Sequence, residues 1–339
     1  IARRVGDPQT LALVLTQRSV ARWRPETLAE LRADLREASA LADRLEDPQL
    51  IGHAAFLGAY AAMEAGDLEH ADLLLARLDA VAEQLGQPFM RWYAAVARVQ
   101  RCSISGPAEE AERLLFAAAA LSHSAEQPDT VLWFIAQLYG VRFLQGSLDR
   151  GDPHLPDLFD IPGSSLPTSS EITPSRSLPL VLGAGLSAIL CEVGRLDDAR
   201  RHFELLMSNE LDELPHDYTA LAIPALASVA CARLGDRPNA ERLHAILEPH
   251  SHRLVGAQAA WFGATTHYLG LLAVTLDRPD EADARFAAAE RSYVLLDAKP
   301  WLARLRTDWA AALLTRQRGE DDRRAEQLLE RAAAYRGAA

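Results

Sequence analysis

The sequence predicts an all-α protein, a solenoid of about eight antiparallel helix pairs. Three observations carry this. A turn phrase recurs, in which Gly or Asp is followed by a charged stretch and then an alanine that opens a helix: Gly66-Asp67-Leu68-Glu69-His70-Ala71, Gly106-Pro107-Ala108-Glu109-Glu110-Ala111, Gly194-Arg195-Leu196-Asp197-Asp198-Ala199 and Gly235-Asp236-Arg237-Pro238-Asn239-Ala240. Weaker copies end at Ala282 and Ala325. The spacing is nearly fixed: Ala111 follows Ala71 by 40 residues, and Ala240, Ala282 and Ala325 each follow the preceding alanine by 41, 42 and 43. A period in this range is the signature of a helical repeat array. Third, one turn after each alanine stand Leu75, Leu115, Phe203, His244, Phe286 and Leu329, and small residues stand twelve positions before it at Ala59, Ser187, Ser228 and Gly270. A small residue where two helices cross and a large knob one turn on is what close antiparallel packing requires.

In chain order, the first helices of the pairs are expected at 9–20, 50–65, 88–104, 129–145, 178–193, 217–234, 257–276 and 300–317. The second helices are expected at 26–45, 68–85, 108–124, 197–210, 238–253, 280–296 and 321–335. Asp47-Pro48, Gln87-Pro88 and Gln127-Pro128 mark junctions between pairs, because the residue before proline avoids helical geometry. Pro153, Pro156, Pro162, Pro167, Pro174 and Pro179 interrupt the pattern. The chain therefore divides into N-terminal repeats at 1–150, a Pro/Ser-rich irregular insertion at 151–179 and C-terminal repeats at 180–339. The insertion reads as a surface loop, with a lid or a docking segment as the functional alternative.

The pattern resembles the tetratricopeptide repeat, with a small residue in the first helix, Gly at the turn, Ala early in the second helix and an aromatic four later. Ser187 with Gly194, Ala199 and Phe203, and Gly270 with Asp277, Ala282 and Phe286, are the best copies. The family unit is about 34 residues, so these units carry longer helices. The stretch Tyr268-Leu269-Gly270-Leu271-Leu272-Ala273 through Asp280-Glu281-Ala282, followed by Lys299-Pro300-Trp301-Leu302-Ala303-Arg304, is similar to the terminal repeats of large bacterial signalling ATPases of the maltose-regulon-activator kind. Those proteins join a P-loop ATPase to a LuxR-type DNA-binding domain or a class III nucleotide cyclase. The resemblance implies a right-handed superhelix that senses a ligand or partner and restrains the ATPase.

A net charge of −12 and a pI near 5.3 speak against direct nucleic-acid binding, which needs a concentrated basic patch. Lys299 is the single lysine, and heavy use of Ala and Arg points to a GC-rich bacterial genome. Cys102, Cys191 and Cys231 are dispersed in apolar helical sequence and read as buried thiols of a reducing, cytoplasmic compartment. No run of 18 apolar residues occurs, so no membrane span is expected. The chain opens at Ile1 within helical sequence, which reads as a piece of a longer protein.

Chemistry-bearing motifs are missing. There is no Gly-x-x-x-x-Gly-Lys-Ser/Thr, no Gly-x-Ser-x-Gly and no His-Glu-x-x-His. Gly183-Ala184-Gly185 follows no strand and reads as helix packing. His244, Glu248, His250 and His252 form the nearest approach to a metal set, but Pro249 interrupts the helix between them, and His244 stands where the repeat wants a buried knob. Acidic pairs such as Asp197-Asp198 open second helices, where carboxylates favour the positive end of the dipole. The expectation is a non-enzymatic protein with no catalytic residues, no metal and no cofactor.

Five of the six tryptophans, Trp92, Trp133, Trp261, Trp301 and Trp309, fall on first helices. In tetratricopeptide arrays those helices line the concave face, so the rings either pack between helices or surface a groove. The groove reading names Arg91, Tyr93, Arg98, Tyr139, Arg142, Gln258, Trp261, His267 and Arg304 as concave-face residues for a protein partner, another domain of the parent chain or a small-molecule effector.

Overall fold

The computed structural model describes residues 2–125, 130–145, 177–208, 217–257, 259–316 and 318–336. The described residues are all-α apart from one short hairpin. After a short α1 (Ala2–Val5), the helices are α2 (Pro8–Ala21), α3 (Leu28–Leu45), α4 (Pro48–Glu64), α5 (Leu68–Leu85), α6 (Pro88–Ser105), α7 (Ala108–Ala125) and α8 (Thr130–Gln145). Then come α9 (Ser177–Glu192), α10 (Leu196–Ser208), α11 (Ala222–Leu234) and α12 (Arg237–Leu247), the strands β1 (Leu254–Gly256) and β2 (Trp261–Ala264), and α13 (Thr265–Thr275), α14 (Pro279–Leu295), α15 (Lys299–Arg316) and α16 (Asp321–Arg336). The Pro/Ser-rich stretch expected at 151–179 lies outside the described residues up to 176, and 177–179 already belong to α9.

The recurrent Gly-Asp phrase has a local physical cause. Gly66 and Gly235 take left-handed backbone, at φ 75° and 68°, which stops the preceding helix. The aspartate that follows starts the next one: Asp67 accepts from the amide of His70 and Asp236 from that of Asn239. Asp7 and Asp47 cap α2 and α4 in the same way, each with proline at the first helical position.

Consecutive helices pack as pairs: α2 with α3, α4 with α5, α6 with α7, α9 with α10, α11 with α12, α13 with α14 and α15 with α16. The first helix of each pair also packs on the first helix of the next, as α4 does on α6 and α11 on α13. Burial follows this layering. Second helices bury one stripe, such as Leu28, Leu31, Leu35, Ala38 and Leu41 of α3. The first helices α4 and α11 are buried nearly all round, and α11 buries every residue from Ala222 to Cys231. Ala71, Ala111, Ala199, Ala240, Ala282 and Ala325 are all buried, as are the knobs Leu75, Leu115, Phe203 and Phe286. The Phe286 ring lies so close to Gly270 that a Cβ there would sit 2.5 Å from its Cε1. The last pair departs from the expected register: Leu329 is 40% exposed, and Leu328 fills the core position.

The helix expected at 257–276 does not begin until Thr265. Its first part is the antiparallel hairpin, with Leu254 opposite Ala264 and Gly256 opposite Trp261 across an irregular register. Val255, Trp261 and Phe262 favour pleated backbone, and Gly263 holds a left-handed φ of 86° in a space where a Cβ would strike Tyr293 Oη and lie 2.6 Å from the Trp301 ring. The hairpin packs against α4 and α6 as well as α11, α13 and α14. Helix α15 packs against α6 and α8. First helices from the N-terminal and C-terminal halves of the chain thus meet each other, and the aromatic row between them becomes interior. Cys191 and Cys231 lie in this interior, where burial pushes their thiols up to about 11 and about 12.

Candidate functional site

The interior row carries one polar cluster. Helix α15 supplies Arg304 and, one turn on, Asp308; α13 supplies His267, α14 Tyr293, α9 Glu192 and α8 Phe143. The Arg304 guanidinium donates to both Glu192 oxygens, at 2.8 and 2.9 Å, and its Nε donates to Asp308 Oδ2 at 2.9 Å. It also lies 4.1 Å from the centroid of the Phe143 ring. His267 Nε2 is 3.1 Å from the same Asp308 oxygen, and its Nδ1 is 3.3 Å from Tyr293 Oη. Tyr293 Oη accepts from the Ala264 amide at 2.9 Å. A neutral His267 with its proton on Nε2 satisfies the whole chain: it donates to the carboxylate and accepts from the tyrosine hydroxyl.

Electrostatics favour the paired state. Burial pushes the Asp308 carboxyl up, but Arg304 and His267 outweigh it and hold the group well below the usual carboxylate range. Glu192 is held low in the same way, against burial, by Arg304 with help from Arg233. Burial works against the charge of Arg304, and its two carboxylate partners override it. Arg304 serves both carboxylates, and Arg233, exposed at the edge, adds a second partner for Glu192 at 3.4 Å. A histidine–aspartate pair could serve as a base, but its second nitrogen faces Tyr293, whose hydroxyl burial keeps protonated far above its ordinary range.

Of the expected concave-face residues, Tyr139, Trp261, His267 and Arg304 are brought together, and all four are buried. Tyr139 packs on Phe143 and Phe262, and Trp261 meets Trp301 edge-on with ring centroids 5.2 Å apart. Tyr93 belongs to a separate aromatic cluster, stacked on Phe56 at 4.0 Å. Arg98 is exposed and pairs with Asp79 of α5, and Arg142 pairs with Glu112 of α7, so both reach back to the second helix of the preceding pair. Arg91 is exposed near Gly86, and Gln258 lies outside the described residues. Sequence reasoning missed Glu192, Asp308 and Tyr293. The four-residue spacing of Arg304 and Asp308 on one helix was a usable signal; the other two come from distant elements.

A second group forms at the outer layer. His244 Nε2 is 2.8 Å from Glu281 Oε1 and 3.8 Å from Glu248 Oε2. Among the described residues this is the one set of three with metal-ligand atoms close together, all within 4.8 Å. Arg285 occupies the same space, donating to Glu248 at 2.6 Å and to Glu281 at 3.3 Å. The guanidinium supplies the positive charge that a cation would otherwise bring, so the set reads as an ion-pair clip between α12 and α14. His250 lies apart from it, 3.5 Å from Glu26.

No protein-family model matches this chain, and no curated protein matches it either. Residues and geometry therefore carry the functional reading. Among the described residues no helix is long and apolar enough to cross a membrane.

Proposed function

We propose that the protein is a non-enzymatic scaffold, a right-handed superhelical solenoid of about eight antiparallel helix pairs of the tetratricopeptide kind. It serves protein–protein interaction or autoregulation within a bacterial signalling or transcription regulator. The carrying observation is the Glu192–Arg304–Asp308–His267–Tyr293 chain, in which these five interior groups satisfy one another rather than face a substrate. The repeated crossing of small residues against buried knobs, as at Gly270 and Phe286, supports the repeat architecture. Partner contacts on this reading lie on the outer surfaces of the pairs.

One observation favours a second reading, a small-molecule effector held inside the superhelix. Tyr60 Oη, Gln100 Oε1, Gln137 Oε1, Tyr139 Oη, Arg253 Nε, Trp261 Nε1, Thr265 Oγ1 and Trp301 Nε1 are buried without a protein partner. All belong to first helices or to the hairpin and its flank. Such atoms call for ordered water or a polar ligand.

A thermal-shift screen separates the readings, because a ligand that binds only the native state raises Tm. The scaffold reading expects a flat response across sugars, nucleotides and amino acids. A stabilising compound whose effect is lost in Tyr139→Phe would transfer the assignment to the effector reading.

A further inference from the structure

The corner between α2 and α3, residues 22–27, reaches the far half of the chain through side chains. Its backbone bonds are local, with Trp23 N donating to Val20 O and Thr27 N to Arg24 O. Outward it makes two ties. Trp23 Nε1 donates to Glu64 Oε2 at 2.6 Å, and Glu26 Oε1 lies 3.5 Å from His250 Nε2, just before the hairpin. Glu64 is the hub of this seam. It is buried between the indole and β1, its Oε2 3.4 Å from the place a Cβ on Gly256 would take. Leu254 of the same strand abuts Gly66 of the α4–α5 turn, with 3.3 Å between its Cδ1 and the would-be Cβ.

Among the described residues Glu64 has no ion pair. A buried carboxylate with one neutral donor and no cation in contact bears most of its desolvation cost, so the closed seam favours the acid form. Arg253, beside β1, is the one charge that acts on Glu64, yet its Nε is buried without a partner. Other charged groups on the elements around α4 are turned to partners of their own: Arg18 to Asp34, Arg22 to Glu30, Arg32 to Asp67 and Arg101 to Asp72. Arg24 of the corner and the exposed His252 have no effect on it.

We propose that the α2–α3 corner is a proton-operated latch: the acid form of Glu64 holds Trp23 against β1, and loss of that proton lets residues 22–27 open away from the hairpin. Helices α2 and α3 stay paired through a small core of their own, built on Ala12, Leu15, Ala38 and Leu41. Opening bares Trp23, Glu64 and the Leu254–Gly256 strand, a surface hidden in the closed form. Burial raises the Glu64 carboxyl from 4.5 to about 7, whereas in the opened corner it faces water. The opening equilibrium therefore climbs as pH rises from 4.5 to about 7 and levels off above it. His250 works in the opposite sense. Burial holds it below 6.5 despite Glu26, so its contribution weakens in acid and cannot produce opening as pH rises.

The test is hydrogen exchange of the tryptophan indole protons, followed by NMR on the whole chain and corrected for the intrinsic effect of pH. The Trp23 signal is identified by its absence in Trp23→Phe. Its opening equilibrium should rise at least about tenfold between pH 5 and pH 7.5. The exchange should depend little on low urea, because a corner opening exposes little surface. Trp261 and Trp301 should exchange more slowly, with the steep urea dependence of global unfolding. Glu64→Gln should abolish the rise at Trp23, and His250→Gln should keep or steepen it. A flat Trp23 response in wild type, an equal rise in Glu64→Gln, or loss of the rise in His250→Gln overturns the latch. So does a Trp23 proton with the exchange rate and urea dependence of Trp261 and Trp301, since the corner would then open only when the whole fold does.

Discussion

Arg304 of α15 and Glu192 of α9 form a two-pronged ion pair across 112 residues of sequence, with N–O distances of 2.8 and 2.9 Å. Both side chains are largely buried, at 9% and 12% exposure, so the pair fixes the interior face of one helix pair against that of another. The planar guanidinium is the group suited to this, because it serves Glu192 and Asp308 at once and still stacks on Phe143.

Removing it should therefore be costly. Arg304→Ala leaves Glu192 with only the exposed Arg233 and Asp308 with only His267, and is expected to destabilise by about 3–5 kcal/mol. Arg304→Lys should recover only part of this, since one ammonium cannot reproduce the fork. Urea denaturation of the three proteins measures it; a loss below about 1 kcal/mol in the alanine variant would contradict the geometry.

Glu64 sets a pH dependence. It ends α4, accepts from Trp23 Nε1 at 2.6 Å and sits beneath Gly256 of the hairpin. Burial raises its carboxyl from 4.5 to about 7, against the opposing effects of the Trp23 hydrogen bond and Arg253. The folded state then binds a proton that the unfolded chain has released, so the contribution is fully present below pH 4.5 and lost as pH rises through about 7. The change amounts to about 3 kcal/mol. Glu64→Gln keeps the hydrogen bond and removes the titration; its stability advantage over wild type should grow between about pH 5 and pH 8 in parallel melts. A constant difference would show that Glu64 does not titrate in the folded protein.

Gly263 should tolerate no side chain. Alanine there combines a left-handed φ of 86° with collision against Tyr293 and Trp301. The expected cost is roughly 2–5 kcal/mol, seen as a lower Tm with the hairpin amides losing exchange protection. An unchanged Tm would remove the hairpin from the interior.

The register of the last pair is testable by contrast. Leu328→Ala empties a core position and should cost about 2–5 kcal/mol, whereas Leu329→Ala should stay within about 0.5 kcal/mol. Equal or reversed effects would restore the register that Ala325 implied from sequence.

What was readable from sequence was local. A Gly in left-handed backbone followed by a capping Asp is a matter of a few residues, so the turns and the helix pairs on either side of them could be placed. Aromatics on first helices were also readable as a row. Whether the row formed a groove or an interior depended on α15 meeting α6 and α8 and on the hairpin filling the space beside α4 and α6. Nothing periodic encodes those contacts. The run from Leu254 to Ala264 is short and apolar, and periodicity cannot distinguish a buried strand from a helix start in such a run. Glu192 gave no sign of Arg304, and Tyr293, on a second helix, gave none of His267.

The central claim is that the aromatic row of the first helices is packed interior and that contacts are made outside it. Acrylamide quenching of intrinsic fluorescence tests this most directly, since Trp23, Trp92, Trp261, Trp301 and Trp309 are all buried. The account predicts blue-shifted emission with weak quenching that becomes strong only on unfolding. Red-shifted, readily quenched emission from the native protein would mean that the row lines an open groove, and the account would be wrong.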